Sequence, residues 1–188
     1  MPMKTSDFSS RVTTGKPRRT VWAELGIPAN YAAARHMPVQ REAKALTRIG
    51  RNDDGRILRL TPRAAAAWRR MLAAAAADGL TLVPVSAFRS VARQIKIIRQ
   101  KLAAGESITA VLRFVAAPGC SEHHTGRALD IGSPDDTGLD ERFARTREFR
   151  WLKKHAARFG FRLSYPRGNG HGIGYEPWHW CWQARSRD

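Results

Sequence analysis

Three short stretches hold most of the residues suited to catalysis, Ser86–Ser90 with Gln94 a turn later among them, and any fold must bring together the other two, which lie far apart in the chain. Of those two, the first is Ser121-Glu122-His123-His124-Thr125-Gly126-Arg127-Ala128-Leu129-Asp130, and the second is Glu176-Pro177-Trp178-His179-Trp180. In the first, Gly126 lets the chain turn between His123 and Asp130. On a strand that follows, Ala128 and Asp130 point to one face, and a small residue beside a carboxylate leaves room for an ion. His and Asp are both good zinc ligands, and a catalytic zinc uses three protein ligands with a further position open. Taken alone, a His and an Asp near a turn are more often ordinary hydrogen-bonding residues. The second stretch shifts that balance, because His179 offers a third ligand and Glu176 a carboxylate free to act as a base. Strict strand alternation would put Glu176 and His179 on opposite faces, so Pro177 is expected to mark a bulge or a bend.

The remaining elements follow from periodicity and breakers. Thr61-Pro62 starts a helix as N-cap and first residue, and the Ala-rich run ends at Gly79, with Trp68, Leu72 and Ala75 on one face. Leu80–Phe88 reads as a short buried strand, with Pro84 favouring an edge or an irregularity. Ser90 caps a second helix in which Val91, Ile95, Ile98 and Leu102 recur at helical spacing, closed by Gly105. A short helix is expected over Ile108–Ala116, followed by a turn at Pro118-Gly119. Ala128–Ile131 forms a strand. Phe149, Leu152, Ala156 and Phe159 mark another amphipathic helix, Phe161–Tyr165 a strand, and Tyr175–Trp182 a last aromatic strand after the glycine-rich loop Arg167–Gly174. Helices and strands mix without regular βαβ alternation, which predicts an α+β domain: a small, largely antiparallel sheet flanked by helices.

Residues 1–40 read as a basic N-terminal arm and 41–188 as the folded domain. Lys4, Arg11, Lys16, Arg18 and Arg19 face a single acid, Asp7, in the first twenty positions. Val21–Leu25 and Tyr31–Ala34 are the parts of the arm suited to docking on the domain. The formal net charge is +17, from 33 Lys and Arg against 16 Asp and Glu, so the surface attracts polyanions. No nucleic-acid recognition motif accompanies that charge, which argues against a specific nucleic-acid partner. The longest apolar stretches are far shorter than a transmembrane segment, and Met1–Thr20 lacks the apolar core of a signal peptide. The two cysteines, Cys120 and Cys181, are too few for a disulfide scaffold, and their spacing does not decide whether they pair.

The motif Ser121-x-His123-x-x-Gly126-x-Ala128-x-Asp130, followed by Glu176-x-Trp178-His179, resembles the D-alanyl-D-alanine carboxypeptidase group of zinc peptidases. That group includes the VanY-like enzymes and shares a core with lysostaphin-type and hedgehog-type zinc domains. Upstream, Ser86-x-Phe88-Arg89-Ser90 with Gln94 a turn later is similar to the family's (Gly/Ala)-Tyr-Arg-Ser…Gln segment, Phe88 replacing the commoner Tyr. The resemblance covers roughly Leu58 to Trp182. It implies that His123, Asp130 and His179 hold Zn2+, that Glu176 is the catalytic base, and that Arg89 stabilises the developing oxyanion or holds substrate. Ser121 and Gln94 are implied substrate contacts, while Trp178 either packs behind the metal or touches substrate.

The implied reaction is hydrolysis of the C-terminal peptide bond of peptidoglycan stem peptides. An endopeptidase acting within the stem, as in phage lysins of related fold, is the enzymatic alternative. The basic surface would then serve binding to anionic cell-wall polymer, and the place of action would be periplasmic or extracellular. His124, next to a ligand on an extended chain, faces away from the metal as a supporting or surface residue, and His171 in the glycine-rich loop lines the cleft or faces solvent, the second being favoured. A structural zinc site drawn from Cys120, His123, His179 and Cys181 leaves Asp130, Glu176 and Arg89 without a purpose.

Overall fold

The helix that runs from Pro62 to Ala77 shows how this chain builds its core. Its buried positions are Ala64, Ala65, Ala67, Trp68, Met71 and Ala75, so alanines let the helix approach closely while Trp68 and Met71 fill the space between layers. Leu72, expected on that face, is only partly buried. Thr61 sits at the cap as expected, yet its hydroxyl makes no capping hydrogen bond. Pro62 supplies the fixed backbone angle that starts the helix.

The computed structural model describes residues 16–184. Among the described residues six α-helices appear in chain order: α1 Lys16–Glu24, α2 Tyr31–Ala34, α3 Pro62–Ala77, α4 Val91–Ala103, α5 Ile108–Val111 and α6 Arg147–His155. Strands β1 Thr47–Arg51 and β2 Ile57–Leu60 form an antiparallel hairpin. Asp54-Gly55 between its strands is its local turn signal, one that the periodicity of the flanking residues does not reinforce. Strands β3 Val83–Ser86, β4 Ala128–Gly132, β5 Phe161–Leu163 and β6 His179–Trp182 form a second sheet in the order β3-β4-β6-β5, with every neighbouring pair antiparallel. The architecture is the expected α+β.

Several elements are shorter than periodicity suggested. The strand read over Leu80–Phe88 pairs only at Val83–Ser86. It lies on the sheet edge, where Pro84 leaves no ladder donor missing, and its register shifts between Pro84 and Ser86. The helix read over Ile108–Ala116 stops at Val111. The strand read over Tyr175–Trp182 begins only at His179, because the His179 N–H turns back to Glu176 O at 3.1 Å.

Two apolar clusters divide the molecule. One joins the sheet to α3 and α6 through Trp68, Leu129, Ile131, Phe149, Leu152, Phe161 and Trp180. The other packs Val91, Ile95 and Ile98 of α4 against Val21, Trp22, Leu25, Ile27, Tyr31 and Met37. The expected basic arm therefore falls into two parts. Residues 1–15, with Lys4, Asp7 and Arg11, lie outside the described residues, whereas from α1 onward the chain contributes buried side chains to the second cluster. Among the described residues no helix is long and apolar enough to cross a membrane.

Candidate metal centre and its cleft

Strands β4 and β6 place the chemistry by register. Asp130 is paired directly with His179, and Ala128 with Cys181, so the two chemical side chains sit side by side with small residues next to them. Leu129 and Trp180 alternate to the opposite face and enter the core. His123 arrives from the one-turn 3-10 helix Glu122–Thr125, which ends at Gly126 in the left-handed region with φ +63°. A Cβ at Gly126 would also stand 2.9 Å from Leu46 and 3.1 Å from Ala43, so glycine answers both a backbone and a packing demand there.

His123, Asp130 and His179 are all buried, and one ligand atom from each lies within 4.8 Å of the others. His123 Nε2 is 3.1 Å from Asp130 Oδ2, and His179 Nδ1 is 3.0 Å from Asp130 Oδ1. The outer nitrogens are tied down: His123 Nδ1–H donates to Ala87 O at 2.7 Å, and His179 Nε2 meets Glu122 Oε2 at 3.0 Å. Two imidazoles with their far nitrogens occupied, facing one carboxylate, are a donor set that fits a zinc ion with open coordination positions. Burial works against a charged His179, yet its hydrogen bonds to Asp130 and Glu122 raise it to about 10 without a metal. Burial would raise Asp130, but the two histidines outweigh it and hold the carboxylate well below its usual range. Burial lowers His123.

Glu176 stands beside this group, its Oε2 3.8 Å from His179 Nδ1, because the turn at Pro177 brings both residues to one side. The expected bend is there. Burial, with Asp130 adding to it, pushes the Glu176 carboxyl up to about 8 against the pull of His179. Arg89 reaches the same space. Its backbone N–H donates to His123 O, and its carbonyl accepts from His124 Nδ1–H at 2.6 Å. Burial lowers the Arg89 guanidinium, and Asp130 and Glu176 counter that.

A cleft of about 350 Å³ opens onto these groups. Ser121, Gln94, Tyr165 and Trp178 line it together with Arg89, His123, Asp130, Glu176 and His179, so every expected site residue meets in one place. Gln94 is only 1% exposed. Its Nε2 donates to Ala116 O, while its Oε1 makes no hydrogen bond. Arg89 Nε is also without a partner. Unmatched polar atoms in a buried wall are what a substrate with amide and carboxylate groups would satisfy. Trp178 both packs in the sheet core and reaches the cleft.

Of the two places open to His124, support or surface, the structure takes support: the ring is fully buried, Nδ1–H donates to Arg89 O, and Nε2 accepts from the Gly119 N–H. Burial drives it down to about 4, so it braces the loop as a neutral ring. His171 is half-buried, its Nδ1 3.1 Å from Arg35 O. Cys120 and Cys181 are free, buried thiols. Glu122 joins the site without a local signal, since nothing in its neighbourhood announces that a carboxylate beside His123 will meet a histidine 57 positions later.

Comparison with known proteins agrees with this geometry. A family model, VanY: D-alanyl-D-alanine carboxypeptidase, matches residues 57–185. The putative carboxypeptidase YodJ of Bacillus subtilis is 38% identical over 120 residues, 62% of this chain and 43% of that protein. A D-alanyl-D-alanine carboxypeptidase of Enterococcus faecalis is 32% identical over 119 residues, 57% of this chain and 42% of that protein. The chain thus spans less than half the length of these two curated relatives. Among solved structures, the LdcB LD-carboxypeptidase superposes with a TM-score of 0.69 at 30% identity, covering 79% of this chain and 72% of that one. VanYB in complex with D-alanine-D-alanine gives 0.61 at 27%, covering 78% and 81%. The D,D-pentapeptidase VanY in complex with Zn(II) gives 0.60 at 28%, covering 78% and 82%. With the family model spanning both chemical stretches and the segment that carries Arg89, the chain belongs to the VanY D-alanyl-D-alanine carboxypeptidase family.

Proposed function

We propose that this protein is a zinc-dependent carboxypeptidase that removes the terminal residue of peptidoglycan stem peptides at a D-alanyl-D-alanine bond. One observation carries the reading: a buried His123–Asp130–His179 group opens into a cleft with a carboxyl, Glu176, held beside it. Zinc, when bound by those three residues, supplies a Lewis acid that acidifies water and polarises a carbonyl. Glu176 takes the proton from the attacking water and delivers it to the leaving amine, and a carboxyl pushed upward by burial is suited to both transfers. Arg89, held by its backbone bonds to His123 and His124, presents a charged donor to the oxygen on which negative charge develops. Gln94 and Ser121 hold the peptide against the wall, and Gln94 Oε1 is open to a substrate N–H.

The family and its solved relatives support action on the cell wall, in the periplasm or outside the cell. The excess of 33 basic over 16 acidic residues supports retention on anionic wall polymer, and that retention would weaken as salt rises. The test of the main reading is release of free D-alanine from a stem pentapeptide before chelation, after it, and after zinc is returned. Loss on chelation and recovery with zinc is expected. Internal fragments without a free amino acid would reassign the protein as a stem endopeptidase. Release of D-alanine from tetrapeptide stems in place of pentapeptide would change the bond to the L,D type.

A further inference from the structure

The two histidines of the metal group are held in different ways. His123 turns Nε2 inward and donates Nδ1–H to the neutral Ala87 carbonyl, whereas His179 turns Nδ1 inward and sets Nε2 against the Glu122 carboxylate. An imidazole ligates through one nitrogen only when its proton sits on the other, so whatever accepts that proton selects the ligating atom. Both nitrogens of His179 face carboxylates, Asp130 on one side and Glu122 on the other. Once a cation replaces the proton between Nδ1 and Asp130, the proton belongs on Nε2, and Glu122 Oε2, 3.0 Å away, is placed to accept it there. Glu122 is also well placed to hold. It starts the one-turn helix that carries His123, its side chain is 18% exposed, and its Oε2 stands 3.0 Å from His179 Nε2.

Resting on the zinc reading above, we propose that Glu122 is a positioning residue that fixes the tautomer and ring plane of His179, so that His179 ligates through Nδ1 and His123 through Nε2. A carboxylate acceptor also makes the imidazole more electron-rich than a carbonyl does, so His179 becomes the more strongly donating of the two histidines. The same carboxylate ties the β6 ligand to the turn that carries the other histidine, coupling the two halves of the site.

The test compares wild type, Glu122→Gln and Glu122→Ala for zinc affinity by competition with a chromophoric chelator, with no turnover involved. Glu122→Ala should weaken zinc binding roughly 10–100-fold. Glu122→Gln, which keeps an acceptor oxygen without charge, should lie between Ala and wild type. Imidazole 15N spectra of the zinc-loaded wild type should place the His179 proton on Nε2, a readout that a merely structural role does not set. Binding within about twofold of wild type in Glu122→Ala overturns the proposal. If that variant does not fold, Glu122→Gln matching wild type overturns it instead, as does a proton found on His179 Nδ1 with zinc bound. Wild type that takes up no zinc would sink the metal reading itself, a result distinct from either.

Discussion

The cleft has two walls, and they are made by different means. On the sheet wall, Asp130 and His179 are cross-strand partners, His123 follows a single turn, and each side chain is set by backbone register and a buried hydrogen bond. On the facing wall, α4 presents Gln94, Ile97 and Lys101, and the residues around Phe114 and Ile173 complete it. Nothing in a local register fixes those loops. They are held by Arg35, whose Nη1 donates to Leu112 O at 2.7 Å and to Gly172 O at 2.9 Å. One wall is rigid because neighbours in a sheet have no alternative pairing. The other depends on a contact from the segment ahead of the matched family region, and a family can keep the first while varying the second.

The comparison is sharpest where the sheet wall performs chemistry. Glu176→Gln keeps the shape and the turn at Pro177 but cannot accept a proton, so D-alanine release should fall by roughly 10²–10⁴-fold in kcat. Zinc content, measured by elemental analysis after dialysis, should stay at the wild-type level, since Glu176 is not in the ligand group. A variant with near-normal kcat and zinc bound would remove Glu176 as the base. Gly126→Ala tests rigidity instead of chemistry. A left-handed residue with its Cβ 2.9 Å from Leu46 should cost about 1–3 kcal/mol in urea unfolding. Zinc affinity should fall with it, because the same turn carries His123. An unchanged midpoint would mean that the turn is softer than its geometry indicates.

The same division explains what the sequence made legible. The sheet wall could be read because its demands are local: a glycine between His123 and Asp130, a small residue two before the aspartate, a proline that lets Glu176 and His179 share a side. Long helices and their stops at Gly79 and Gly105 were legible for the same reason, as backbone breakers act within a turn. Strand lengths were overestimated at Leu80–Phe88 and Tyr175–Trp182 because apolar runs continue past the last ladder bond into buried loops. Extended-chain alternation leaves His124 open to support or surface, whereas a 3-10 turn puts both histidines inside. Glu122 meeting His179 and Arg35 meeting Gly172 are encounters that no local pattern encodes.

Gln94 tests the second wall through its one unmatched oxygen. Gln94→Ala removes an oxygen with no partner in the chain and a donor to Ala116 O. If Oε1 is matched by substrate, the loss of about 1–3 kcal/mol from an unpaired substrate N–H lowers kcat/KM by roughly five- to 150-fold, mostly through KM. Steady-state kinetics on the stem pentapeptide give the split. An unchanged kcat/KM would show that the peptide passes Gln94 without touching it.

The smallest effect should come from Arg35, and it bears most directly on how the second wall is held. Its guanidinium joins the loop after α5 to the glycine-rich loop while its own backbone carbonyl meets His171. The two loops also touch each other, since the Gly174 N–H donates to Arg113 O at 2.6 Å and any Cβ on Gly174 would collide with Phe114. Arg35→Ala therefore removes a clamp but not the contact it reinforces. Because that contact remains, the expected scale is that of one hydrogen bond near the surface, about 0.5–1.5 kcal/mol: KM rising by about two- to tenfold while kcat holds. Amide hydrogen exchange should quicken at residues 112–116 and 172–174 and stay as before in β4 and β6. Faster exchange in both walls would mean that Arg35 supports the whole second cluster, and unchanged exchange with unchanged KM would show that Phe114 against Gly174 suffices to hold the rim.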